Sequence, residues 1–162
     1  MRPAVHEASS QRRVALFAVE FAFRLETSNT DGHAAVLEVT IPPRTLVKPH
    51  QHSKEDEYSL ILSGTVGARI GDETHEEITA GASIVKPRDI PHAMWNVTDE
   101  PARILEIVMP AGLEEYFAEL APVLHQHGPE WTKRFDQLAM QYGLTILDDW
   151  TKELEARYQI TL

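Results

Sequence analysis

The chain has 162 residues, 43% of them hydrophobic and 25% charged, which fits one globular domain and excludes a disordered chain. Its formal net charge of −10 repels phosphate backbones, so nucleic acid is not an expected partner. With no cysteine, disulfides, iron–sulfur clusters, thiolate zinc sites and cysteine nucleophiles are excluded, and any metal must be held by the eight histidines and by carboxylates.

In chain order, Arg12-Arg13 followed by VALFAVEFAF has the outline of a secretory leader. Glu20 interrupts it, and no A-x-A-like cleavage site follows before Arg24 and Glu26. No window reaches the roughly 18 apolar residues a membrane-spanning helix needs. A cytoplasmic protein without membrane attachment is expected. The same stretch alternates, placing Phe17, Val19, Phe21, Phe23 and Leu25 on one face of a single long strand. An apolar strand of that kind needs a neighbour at its edge, which makes a homodimer the expected state.

Up to Pro110 the chain is a series of short segments rich in Val, Ile, Phe and Thr, separated by turns such as SNTDG, IPPRT, IGDE and KPRDIP. That spacing predicts an all-β barrel or sandwich over residues 1–110. Beyond it the period becomes helical. Leu113, Tyr116, Phe117, Leu120 and Leu124 form one stripe. Gly128-Pro129 separates it from a second stripe of Trp131, Phe135, Leu138, Ala139 and Tyr142, which ends at Gly143. A third short helix begins at Asp148 or Asp149. Residues 111–162 thus read as a helical extension packed on the barrel or on a partner subunit.

The chemistry concentrates in two segments. His50 and His52 in KPHQHSKEDE are two apart, so on a strand both rings face one side. His125 and His127 have the same spacing at a helix end, where positions i and i+2 point roughly 200° apart and do not chelate together. Glu57 follows His52 by five positions, and Gly64 follows Glu57 by seven. The second segment, GASIVKPRDIPHAMWN, carries Gly81, Pro87, His92 and Asn96.

In these positions the sequence resembles the cupin superfamily, most closely the small bacterial single-domain cupins described as quercetin-dioxygenase-like. Its first motif is matched by His50, His52, Glu57 and Gly64, its second by Gly81, Pro87, His92 and Asn96. Arg44 and Asp89 stand where the motifs have glycine, both at turns. The resemblance spans roughly residues 30–110 and, more loosely, PAGLEEYFAELA. It implies a double-stranded β-helix, a jelly-roll barrel with His50, His52, Glu57 and His92 projecting inward onto one divalent Fe, Mn, Ni, Cu or Zn ion. It also implies a small-molecule substrate and supports the homodimer. Three neutral imidazoles and one carboxylate leave such an ion with a net charge near +1 and with open positions.

Strand alternation places Met94 and Asn96 on the side of His92 with Trp95 opposite, and Ser59 and Ile61 on the side of Glu57. Lys48, two before His50, lies either beside the metal or at the barrel mouth. The resemblance implies the activity of a metal-dependent dioxygenase on a small enolic or phenolic substrate. The alternatives are a metal-dependent isomerase, cyclase or hydrolase on a small carbonyl compound, and a non-enzymatic binding module. No catalytic residue beyond the four candidate ligands is assigned.

Overall fold

The computed structural model describes residues 4–125 and 130–162. Gly128-Pro129 and His127, read above from the sequence, lie outside the described residues. His125 is exposed at the end of a helix.

Two antiparallel sheets face each other. The first has six strands: β1 (Arg13–Leu16), β2 (Val19–Leu25), β3 (Ala35–Ile41), β10 (Ala102–Met109), β5 (Asp56–Ser63) and β8 (Ser83–Lys86), in that spatial order. The second has five: β11 (Leu144–Ile146), β4 (Thr45–His52), β9 (His92–Asn96), β6 (Thr65–Ile70) and β7 (Glu73–Thr79). This is the double-stranded β-helix arrangement, with helices added: α1 (Thr27–Thr30), α2 (Leu113–Leu124), α3 (Glu130–Tyr142) and α4 (Asp148–Tyr158). Among the described residues no helix is long and apolar enough to cross a membrane.

Strand parity decides what lies between the sheets. Along β3, Ala35, Leu37, Val39 and Ile41 are buried, and along β10 Ala102, Ile104 and Val108 join them. Each large aliphatic side chain so placed contributes about 1.5–3 kcal/mol of hydrophobic stabilisation. Helix α2 lays Leu113, Tyr116, Phe117 and Leu120 onto the end of this core, and α3 adds Phe135, Leu138 and Ala139. A second, smaller core lies on the outer side of β4 and β9. There Trp95 stacks on Tyr158 of α4 at 4.8 Å, beside Leu46, Ala93, Leu154 and Ile160.

One expected strand is two. The apolar run from Val14 folds back at Phe17-Ala18, so that Leu16 pairs with Val19 and Arg13 with Ala22. Val19, Phe21 and Phe23 keep their shared buried face, while Phe17 leaves it for the turn. The other flank of β2 pairs with β3 of the same chain.

The extension after Pro110 reaches back to the barrel. Strand β11 pairs with β4, setting Ile146 against His50 and Leu144 against His52. The Gly143 carbonyl accepts the Ser53 N–H at 3.0 Å, and the Pro49 carbonyl accepts the Leu147 N–H, also at 3.0 Å. Residues 143–147 of the extension therefore brace the strand that carries both histidines.

Candidate metal centre

Both sheets contribute to one cluster. His50 and His52 project from β4, and His92 comes from β9, where antiparallel pairing puts it opposite His50. Glu57 reaches in from β5 of the other sheet. The ring centroids of His50 and His92 are 4.6 Å apart, those of His52 and His92 4.9 Å, and those of His50 and His52 5.5 Å. Glu57 Oε2 lies 3.5 Å from His52 Nε2 and 3.7 Å from His92 Nε2. One donor atom from each of the four residues falls within 4.8 Å of the others. Ligands held about 2.0–2.2 Å from a common metal stand apart by comparable distances, so the cluster can hold a metal ion.

The protonation pattern points the same way. Each imidazole donates its Nδ1–H to a backbone carbonyl: His50 to Lys48 at 2.7 Å, His52 to Glu55 at 2.9 Å and His92 to Ile90 at 3.0 Å. A carbonyl only accepts, so Nδ1 carries a proton, and when the ring is neutral its lone pair lies on Nε2. This outer support is the one metal-ligating histidines use. The Nε2 atoms of His52 and His92 are buried with no hydrogen-bond partner. A buried polar atom left in that condition is costly unless something beyond the protein's own donors engages it.

Electrostatics separates the three rings. Burial, then the neighbouring His52, lowers His50 to about 4. Burial, then His50, holds His92 well below the usual imidazole range. Burial also opposes charge on His52, but the Glu57 carboxylate beside it outweighs burial and raises that ring. Glu57 would be raised by burial, yet the Lys86 ammonium and His52 lower it well below the ordinary carboxylate range. The carboxylate is therefore ionised and the His50 and His92 rings neutral at pH 7, the states in which each can ligate.

Sequence reasoning missed Lys86 and Glu106. Lys86 Nζ lies 2.7 Å from Glu57 Oε2 and 3.0 Å from Glu106 Oε1, and Ser59 Oγ donates to Glu106 at 2.9 Å. Parity was the available signal: Lys86 follows buried Ile84 by two, and Glu106 lies between buried Ile104 and Val108. Ser59, Ile61 and Met94 occupy the inward positions expected for them, and Trp95 the outward one. Lys48 borders the cavity and pairs with Asp148 of α4 at 2.8 Å. Arg44 and Asp89 adopt left-handed backbone, with φ of 56° and 62°, as the glycines they replace would.

The cluster opens into a cavity of about 90 Å³ that communicates with solvent. Its walls are mainly aliphatic and aromatic, including Phe21, Ile104, Phe117, Leu120 and Phe135. Apart from Lys48, its charged and imidazole groups, His50, Glu57, Lys86, His92 and Glu106, gather at one place, the arrangement of a small-molecule site with a reactive end.

A family model described as a cupin domain matches residues 37–108. Over 80 residues the chain is 34% identical to H2HPP isomerase of Bacillus subtilis, covering 49% of this chain and 34% of that protein. Over 89 residues it is 32% identical to germin-like protein 3-1 of Oryza sativa subsp. japonica, covering 52% of this chain and 39% of that protein. The chain thus spans between a third and two fifths of the length of these relatives. Among solved structures, a predicted oxalate decarboxylase of Thermotoga maritima superposes with a TM-score of 0.59 at 21% identity, covering 66% of this chain and 99% of that one. At that identity the likeness is one of fold.

Proposed function

With residues 37–108 a cupin domain, we propose that the barrel binds one divalent transition metal through His50, His52, Glu57 and His92 and acts as a metal-dependent dioxygenase on a small enolic or phenolic substrate. The carrying observation is the pair of buried, unpartnered Nε2 atoms on His52 and His92, which face an ionised Glu57 across less than 4 Å. An Fe, Mn, Ni, Cu or Zn ion in that set supplies Lewis acidity toward an oxygen anion and, where redox-active, electrons for dioxygen chemistry.

The chain's own groups divide the remaining work. Backbone carbonyls fix the three imidazoles, and Lys86 holds Glu57. The apolar walls keep water from the substrate body and leave its oxygen end the one polar match at the cluster. A second reading is a metal-dependent isomerase on a small carbonyl compound, which the 34% identity to an isomerase favours. It uses the same ligands and needs no oxygen.

The test begins with elemental mass spectrometry of the purified protein beside a His50→Ala/His92→Ala variant. About one equivalent of transition metal in the wild type, lost in the variant, is expected. Protein that neither carries nor takes up any of the five metals ends both readings. With metal established, turnover of enolic and phenolic compounds is followed under air and under argon. Oxygen uptake that tracks product supports the dioxygenase, and full turnover under argon replaces it with the isomerase.

A further inference from the structure

One wall residue of the cavity departs from the rest. Phe17 lines it, yet is 43% exposed, whereas the other lining residues are buried or half-buried. Phe17 therefore stands where the wall meets solvent. Val47, Lys48, His50 and Ile146 are the half-buried residues of the same wall.

Phe17 is also strained. It is the first of the two residues that join β1 to β2, and its φ is 53°. A two-residue hairpin with positive φ at this position normally uses glycine, and a bulky residue there is an outlier. Core packing does not account for the phenyl ring, because nearly half of the residue faces solvent. Strain that the fold does not need concentrates at positions that contact ligands. Phe21 and Phe117, which stack at 4.7 Å, line the same cavity, so the wall that Phe17 shares is already aromatic.

The charges of the cavity narrow what fits. Its two lining cations are committed, Lys48 to Asp148 and Lys86 to Glu57 and Glu106. Among the described lining residues no unpaired ammonium or guanidinium remains for a second anionic group on a ligand.

We propose that Phe17 determines substrate specificity at this site: from the hairpin tip it closes over the aromatic or alicyclic body of a ligand whose single oxygen anion lies at His50, His52, Glu57 and His92. The proposal rests on the metal-centred reading given above. A polyanionic ligand is disfavoured because its second charge meets apolar wall.

The test uses the full chain loaded anaerobically with Co(II), whose visible spectrum reports ligands at the metal, and compares wild type with Phe17→Gly. Glycine suits the left-handed turn, so the variant folds and its melting temperature holds or rises. The probes are 4-cyanophenol, a ring with one phenolic oxygen and no visible absorption, and azide, an anion with no apolar body. Loss of one aromatic contact is expected to weaken 4-cyanophenol by about fivefold to tenfold while azide affinity and Co(II) stoichiometry stay unchanged. Phe17→Leu, which keeps apolar bulk but no ring, should fall between the two. Equal 4-cyanophenol affinity in wild type and Phe17→Gly overturns the role of Phe17 and leaves the metal-centred reading standing. Equal weakening of both probes also overturns it, because the residue would then act on the metal centre. Wild-type protein that takes up Co(II) but ignores 4-cyanophenol removes the phenolic reading, and this inference with it. Failure to take up Co(II) removes the metal reading itself.

Discussion

Lys86 Nζ sits 2.7 Å from Glu57 Oε2 inside the barrel, where the two side chains are only 5% and 6% exposed. Register explains the contact, since Glu57 and Lys86 are direct partners across β5 and β8. On the other side of β5, Ser59 is the partner of Glu106 in β10. Three neighbouring strands thus turn polar groups inward at two successive levels, in the order cation, carboxylate with hydroxyl, and carboxylate. Breaking such a buried pair costs more than the pair itself contributes, because the remaining charge loses its partner. Lys86→Met leaves Glu57 and Glu106 facing each other and should lower stability by about 3–5 kcal/mol in urea unfolding. Adding Glu106→Leu removes the repulsion and should recover much of that loss. A single variant as stable as wild type would show that Lys86 is not the counter-ion of both carboxylates.

Acid should destabilise the metal-free protein through two of the histidines. In the unfolded chain each imidazole takes a proton near its ordinary 6.5, whereas burial and His52 hold His50 down to about 4. Burial and His50 lower His92 as well. As the pH falls below about 6.5 the unfolded chain binds protons that the fold refuses, so stability drops until His50 protonates in the fold near 4. For His50 alone this amounts to roughly 3 kcal/mol. His52 has the opposite sign: its raised value stabilises the fold fully below the unfolded value, and that contribution is lost as the pH rises through its folded value. Two lowered rings against one raised ring give a net fall. Melting temperatures of chelator-treated protein from pH 8 to pH 4 should decline through this window, and His50→Asn should flatten the decline. A melting temperature that rises on acidification would contradict this assignment.

The outer face of β9 is as constrained as its inner one. Trp95 is fully buried against Gly67 of β6, its cross-strand partner. A Cβ at Gly67 would fall 2.2 Å from Trp95 Cε2, so the indole must shift, and Tyr158 stacks on it. Gly67→Ala should therefore destabilise by about 1–3 kcal/mol, the usual range for forcing an extra carbon into a filled core. Near-UV circular dichroism should change in parallel as the Trp95–Tyr158 stack is displaced. Unchanged stability and spectrum would mean that the indole has room the geometry does not show.

How much of this was legible depended on the range of each signal. Strand parity, which is local, put His50 and His52 on one face, whereas Glu57 and His92 joined them only through the resemblance to the two cupin motifs. Lys86 and Glu106 obey the same parity, but their meaning depends on β8, β5 and β10 lying side by side, a relation between residues up to 49 positions apart along the chain. Read alone, each is an ordinary surface charge. The Phe17-Ala18 turn carried no warning because neither residue is Gly, Asn, Asp or Pro, and apolar alternation continued straight through it. Strand β11 was hidden by brevity, since Leu144–Ile146 is too short to show a period.

Arg44 and Asp89 give the last prediction, because both hold a conformation that the resembling motifs assign to glycine. A left-handed backbone costs an ordinary L-residue about 1–2 kcal/mol and Asp less, whereas glycine gives up roughly 0.5–1 kcal/mol in unfolded-state entropy. Arg44 has a φ of 56° and an exposed ion pair with Asp99 at 2.8 Å, of the kind that contributes at most about 1 kcal/mol. Arg44→Gly relieves the strain and loses the pair, so its stability should lie within about 1 kcal/mol of wild type. Arg44→Ala loses the pair and keeps the strain, and should be the least stable of the three. Asp89→Gly should be close to neutral. The Asp89 N–H donates to the His52 carbonyl at 2.8 Å, a bond that glycine retains, so β4 and its histidines stay in place. Thermal melts of the four proteins in one buffer give the ranking directly. If Arg44→Gly falls below Arg44→Ala, the Arg44 turn is not strained, and the flexibility of glycine in the unfolded chain outweighs any relief at the turn.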